Sequence, residues 1–215
     1  VKGAHVGDRT LELDPGHAAI VALRTADARL AAVIDSVGPL ELTPSNDPFR
    51  ALAESIVYQQ LSLKAAGTIW RRFEALGPVT PEGIIGLDVE PMRAAGLSGQ
   101  KSRYLKDLAD AVLTGRIDLA TLGKLDDEAV IQEVTLVKGI GRWTAEMFLI
   151  FSLGRLDVLA LDDAGLLRSA GWLLGHGRSA TREEFAEAGE AWRPYRSVAS
   201  LYLWAAKDRG LVQEA

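Results

Sequence analysis

Cysteine is absent from this chain of 215 residues, and that one absence removes several chemistries. No disulfide, cysteine nucleophile, thiolate zinc site or cysteine-ligated iron–sulfur cluster is open to it. Histidine is nearly as scarce: His5, His17 and His176 are scattered, so no histidine-based metal site is expected. Long apolar runs are missing too. Met147–Leu153 is among the longest, far short of the roughly 20 residues of a membrane-spanning helix. The opening Val1-Lys2-Gly3-Ala4-His5 has no apolar core, so no secretory signal is expected there. An excess of positive charge is also lacking. The formal net charge of −5 argues mildly against a nucleic-acid partner, unless the cations are locally concentrated. Acids cluster at Asp126-Asp127-Glu128 and Glu183-Glu184, while Lys101, Arg103, Lys138, Arg142, Arg193 and Arg196 lie in other segments. What remains has the composition of a soluble globular protein with no membrane partner. A reducing, intracellular (cytoplasmic) setting fits it.

The apolar spacing is helical almost throughout. From Ser98 to Gly115, Tyr104, Leu105, Leu108, Ala109, Val112 and Leu113 recur on one helical face, with Ser98 as N-cap and Gly115 as the stop. Asp14-Pro15 reads as the start of a helix carrying Ile20, Leu23, Leu30 and Ile34. Asp47-Pro48 opens one carrying Leu52, Ile56 and Val57, and Thr181 with Glu184 forms a capping box. Pro194 is expected to start the last helix, through Leu201 and Trp204. Only Thr10–Leu13 reads as extended. The spacing predicts an all-α chain of roughly eight to eleven helices with short connections and no flexible hinge.

One segment stands apart: Leu136-Val137-Lys138-Gly139-Ile140-Gly141-Arg142-Trp143-Thr144-Ala145. Val130, Ile131 and Val134 mark a helix before it, and Trp143 to Phe151 mark another after it, apolar nearly all round and so expected to be buried. Two helices joined by Gly-x-Gly make a hairpin whose glycines permit close approach of another backbone. The positive end of the second helix dipole lies beside the turn, a ready place for a phosphate, with Lys138 or Arg142 adding charge. By itself a Gly-x-Gly is more often a tight turn between core helices. Beyond Gly154, however, Leu159-Ala160-Leu161 runs into Asp162-Asp163 before another helix. On generic grounds that pair is an N-cap with a spare acid; functionally, it offers a general base or electrostatic stabiliser.

The stretch from Val137 to about Leu167 resembles the helix-hairpin-helix, Gly/Pro-rich loop and Asp signature of the HhH-GPD DNA glycosylase superfamily. Within it the chain is similar to the 3-methyladenine DNA glycosylase II (AlkA-like) family. Supporting blocks are Ser55-Ile56-Val57-Tyr58-Gln59-Gln60-Leu61-Ser62, Gly96-Leu97-Ser98 with Lys101 and Tyr104, and Trp192-Arg193-Pro194-Tyr195-Arg196-Ser197 with Trp204. The resemblance implies a single domain over residues 1–215: two interlocked helical lobes with a cleft between them, the hairpin at roughly 126–153, and no N-terminal β-rich domain.

It also implies roles. Asp163 is the catalytic aspartate, as base or electrostatic stabiliser, and Asp162 a cap or supporting group. Trp143, Trp204, Met147, Ala164 and Tyr58 line a lesion pocket. Gln59, Gln60 and Leu61 wedge into the duplex, while Lys138, Gly139, Ile140, Gly141, Arg142 and Thr144 bind DNA. The carbonyls of Val137 and Gly139 are candidates for a monovalent cation when DNA is bound; otherwise no metal or cofactor is expected. Trp70, Trp172 and Trp192 are assigned to core.

The implied activity is hydrolytic release of alkylated purines (3-methyladenine, 7-methylguanine) from double-stranded DNA in base excision repair, by a monomer. Relatives that also cut the backbone carry a Schiff-base Lys where Trp143 stands, and an indole cannot be that nucleophile, so the chain reads as monofunctional. Met147 and Ala164 replace the Tyr that the resemblance leads one to expect, which opens the pocket. The competing readings are a non-catalytic DNA-binding or damage-sensing protein, a glycosylase for oxidised or mismatched bases, and a helical interaction protein.

Overall fold

The computed structural model describes residues 10–212; Val1–His5, and with them the signal-peptide expectation, lie outside the described residues. Two compact units divide the chain. One combines the residues up to Pro44 with those from Leu149 onward, and the other is Ser45–Phe148.

In the first unit, strand β1 (Leu11–Leu13) pairs antiparallel with β2 (Leu40–Leu42), Leu11 opposite Leu42 and Leu13 opposite Leu40. Helices α1 (Ala18–Ala26) and α2 (Ala28–Val37) lie between them in sequence, where a single helix was expected. The break is Asp27. Its backbone is extended, and its carboxylate accepts the Arg29 and Leu30 N–H groups as N-cap of α2. Nor does Pro15 open α1. Asp14 folds a turn back onto the Gly16 and His17 N–H groups, and His17 becomes the cap.

The second unit holds α3 (Pro48–Tyr58), α4 (Leu63–Glu74), α5 (Pro81–Gly86), α6 (Val89–Ala94) and α7 (Gly99–Leu113). A 3-10 turn (Leu122–Lys124) and α8 (Asp127–Val134) follow, and the unit boundary falls within α9 (Arg142–Phe151). The chain continues in the first unit with α10 (Ala164–Leu173), α11 (Arg182–Glu190) and α12 (Arg196–Asp208). Pro194, in a cis peptide, precedes α12 without starting it, because Tyr195 between them is not helical (φ −124°, ψ 32°).

Twelve α-helices and two three-residue strands among the described residues make the chain all-α in class. Each unit has its own core. In the first, α12 packs on α2 and α10, burying Leu30, Ile34, Leu166, Ala170, Val198 and Leu203. The Tyr202 hydroxyl donates to the Leu13 carbonyl of β1 at 3.2 Å, and buried Trp192 donates to Asp27. In the second, α7 packs against α3, α5 and α6 over Leu52, Ile56, Ile84, Met92, Leu105 and Leu108. Each such side chain contributes roughly 1.5–3 kcal/mol by leaving water. Trp70 and Trp192 are core as expected, whereas Trp172 is only half-buried.

Candidate active site

The hairpin takes shape from its first glycine. Gly139 adopts φ +88°, and a Cβ placed there would stand 2.1 Å from the Tyr104 ring, so both conformation and space require glycine. Gly141 differs: its backbone is not left-handed, and a Cβ there would meet nothing within 4 Å. Asp107 on α7 accepts the Lys138 backbone N–H at 2.8 Å, and Arg116 bridges Asp107, Asp110 and the Leu136 carbonyl. Burial would push the Asp107 carboxyl up, but the Lys138 N–H and the Arg116 guanidinium hold it below its ordinary value.

Two cations expected to meet phosphate fare differently. Lys138 is exposed. Arg142 forks onto Glu128 (3.1 and 2.9 Å) and donates Nε to Glu146 at 3.1 Å, so a phosphate must compete with two carboxylates for it. Ile140 and Thr144, also assigned to DNA contact, are buried. The carbonyls proposed for a cation already accept hydrogen bonds, Val137 from the Ile140 N–H and Gly139 from the Gln59 side chain at 2.8 Å.

A pocket of about 610 Å³ opens beside the hairpin, within the range of small-molecule sites. One wall is Ser55, Tyr58, Gln59, Gln60 and Leu61; the other is Gly139, Gly141, Trp143, Thr144 and Met147. Most of the residues singled out from the sequence in this unit therefore meet in one cavity. Ser55 was missed as a lining residue. Burial, and then the negative charge of Glu54, push the Tyr58 phenol up. Trp143 and Phe151 are 41% and 40% exposed, so α9 is not buried all round; the side of it carrying Trp143 lines the cavity. Gln60 is exposed at φ +58°, the one positive-φ non-glycine among the described residues.

Asp163 belongs to the other unit. It is the N-cap of α10, and the same oxygen, Oδ1, accepts the Leu166 N–H at 2.7 Å and the Trp204 indole N–H at 3.1 Å. The expected cap is thus the other acid of the pair: Asp163 caps α10, while Asp162 pairs with Arg182 at 3.0 Å. Phe151 lies against the Trp204 ring, centroids 5.8 Å apart. Exposed Ala164 follows Asp163 at the helix start. The loop before it is tied to α12: Ser197 Oγ accepts the Val158 N–H at 2.8 Å, and Arg196 Nε donates to Asp157 at 2.8 Å. This arrangement holds one carboxylate in a fixed orientation, which suits it to stabilise positive charge or to orient water.

Residues 53–194 match the HhH-GPD superfamily of base excision DNA repair proteins. DNA-3-methyladenine glycosylase 1 of Schizosaccharomyces pombe is 35% identical over 82% of this chain and 79% of its own length. Among solved structures, a DNA-3-methyladenine glycosidase from Bacillus halodurans is 39% identical with a TM-score of 0.85, over 95% of each chain. The S. pombe 3-methyladenine DNA glycosylase in complex with abasic DNA is 34% identical with a TM-score of 0.82, over 89% of this chain and 97% of that one. No helix among the described residues is long and apolar enough to cross a membrane. The paired helices around Gly139, the capping Asp163 and this breadth of similarity lead to one assignment: the chain belongs to the HhH-GPD superfamily of base excision DNA repair proteins.

Proposed function

We propose that this chain is a monofunctional DNA glycosylase that hydrolyses the N-glycosidic bond of alkylated purines, such as 3-methyladenine and 7-methylguanine, in double-stranded DNA. The observation that carries this reading is the Asp163 carboxylate, held at the start of α10 by the Leu166 N–H and the Trp204 indole. Base removal needs the nucleotide turned out of the stack. The exposed Gln60–Leu61 turn suits a wedge that fills the gap left behind. The open space at Gly141 suits close approach of a phosphodiester backbone, with Lys138 adding charge. An alkylated purine is cationic, and the exposed indole face of Trp143 attracts such a ring by about 0.5–2 kcal/mol.

In the reaction, the bond between C1′ and the purine nitrogen breaks and its electron pair leaves with the base, which becomes neutral. Positive charge develops on the sugar, and the Asp163 carboxylate stabilises it. Water then bonds through oxygen to C1′ and gives up a proton, with Asp163 or bulk water as acceptor. Trp143 stands where a Schiff-base lysine would be needed to cut the backbone, which supports release of the base alone. The protein acts in this reading as a monomer inside the cell, where the DNA is.

Base release from duplexes carrying alkylated purines tests it. Asp163→Asn should lower release by at least about a thousandfold while binding to abasic DNA stays within about twofold. Asparagine is as good an N-cap as aspartate, so the fold should survive. Retained excision by that variant sinks the assignment.

A further inference from the structure

The wedge turn sits on a cation that the activity so far leaves without a role. Lys101, in the first turn of α7, donates Nζ to the carbonyls of Val57 (2.6 Å) and Gln59 (2.7 Å). Those carbonyls lie at the end of α3, where a helix runs out of its own donors. The Leu61 N–H, which would serve Val57 in a continuing helix, turns to Tyr58 instead. Between the clamp and Leu61 lies Gln60 at φ +58°, a backbone conformation that L side chains hold only when their surroundings impose it. From the front, the Gln59 side chain donates to the Gly139 carbonyl at 2.8 Å, tying the same turn to the hairpin.

We propose that Lys101 is a positioning residue for base flipping: its ammonium, seated on the Val57 and Gln59 carbonyls, presets the Gln60–Leu61 turn in its wedge shape before DNA arrives. The proposal rests on the glycosylase reading above for what the wedge does. The location does nothing for α7 itself, because a cation in a helix's first turn faces the positive end of the dipole. Burial adds to that cost, pushing the Lys101 ammonium below its ordinary range. Without the clamp the two carbonyls lose their donor and Gln60 relaxes, so the turn must be ordered at the moment of insertion, at the expense of flipping.

Lys101→Met keeps the apolar stem and removes the charge and donors. Single-turnover excision is compared on two duplexes, each with one 7-methylguanine. In one the lesion faces cytosine; in the other it faces a tetrahydrofuran abasic analogue, where nothing pairs with it and the wedge matters least. The variant should be about tenfold slower on the paired lesion, or ~1.4 kcal/mol, and within about twofold of wild type on the unpaired one. Equal slowing on both, or none on either, overturns the proposal. If the Met variant does not fold cooperatively, Lys101→Gln takes its place with the same expectation. Amide hydrogen exchange of the free protein gives a readout that needs no activity. Exchange at residues 59–62 should quicken in the variant, and unchanged exchange there overturns the clamp. If wild type releases no base from either duplex, the glycosylase reading fails, and exchange alone decides the clamp.

Discussion

At Asp163 one oxygen serves two donors, so small displacements matter. Gly165, two residues into α10, is what leaves room for it: a Cβ there would stand 3.1 Å from Asp163 Oδ1, with the Lys207 stem at 3.6 Å on another side. Gly165→Ala therefore sets two effects against each other. Alanine favours the helix by roughly 0.5–1 kcal/mol, while its methyl pushes the carboxylate off the Trp204 N–H. The expected outcome is an unchanged or raised Tm with base release slowed about tenfold, read by thermal denaturation and single-turnover excision side by side. If stability and rate fall together in proportion, the glycine serves packing only. At this scale the sequence was legible where a motif placed the residue and opaque where a partner lay far off. Asp163 could be singled out, but not its second donor, the Trp204 indole, which approaches from 41 residues away. Arg142 looked available for phosphate because Glu128, its partner, precedes it by 14 residues.

Helix–hairpin–helix geometry could be read locally, since its determinants are local. Asp126 caps α8, Val130, Ile131 and Val134 bury one face, and Gly139 turns the chain. Caps at Asp47, Ser98 and Thr181 were legible for the same reason. The break at Asp27 was not, because apolar spacing runs through it unbroken and only its carboxylate's turn onto Arg29 and Leu30 stops the helix. Lys101 stood in a block that resembles the family, but its role was not legible: its partners lie 44 and 42 residues back in the chain. The hairpin glycines yield a contrasting pair of expectations. Gly139→Ala meets both a left-handed backbone, roughly 1–2 kcal/mol, and the Tyr104 ring, and should cost about 3 kcal/mol in total by urea denaturation. Gly141→Ala meets neither, so stability should stay within about 0.5 kcal/mol. Its effect should appear instead as weaker binding to abasic DNA. Equal destabilisation by the two would show that the second glycine is a folding residue as well.

Across the whole chain, acids outnumber bases to give −5, and several carboxylates are paired with arginine and held below their ordinary range. Burial alone would push Asp27 up, but hydrogen bonds from Arg29 and from the Trp192 indole outweigh it and bring it down. Glu184 is brought to about 2 by the Arg178 guanidinium and the Thr181 N–H of its capping box. A carboxylate lowered in the fold adds stability that is complete above its unfolded value, near 4, and is lost as pH falls through the folded one. Stability should therefore stay level from about pH 7 to 5 and fall between about pH 4.5 and 2. The two groups differ in what salt can do. The Asp27 side chain is only 6% exposed, whereas the Glu184–Arg178 pair sits at the surface, at 31% and 55%. Surface pairs are screened within about 3 Å at 1 M salt and buried ones much less. Urea denaturation from pH 5 to 2.5 should show Asp27→Asn flattening the acid limb at both low salt and 1 M NaCl. Glu184→Gln should flatten it more at low salt than at 1 M NaCl, where the Arg178 pair is screened and the Thr181 N–H bond remains. An equal response of the two variants to salt would mean that the Asp27–Trp192 contact does not shelter its charge.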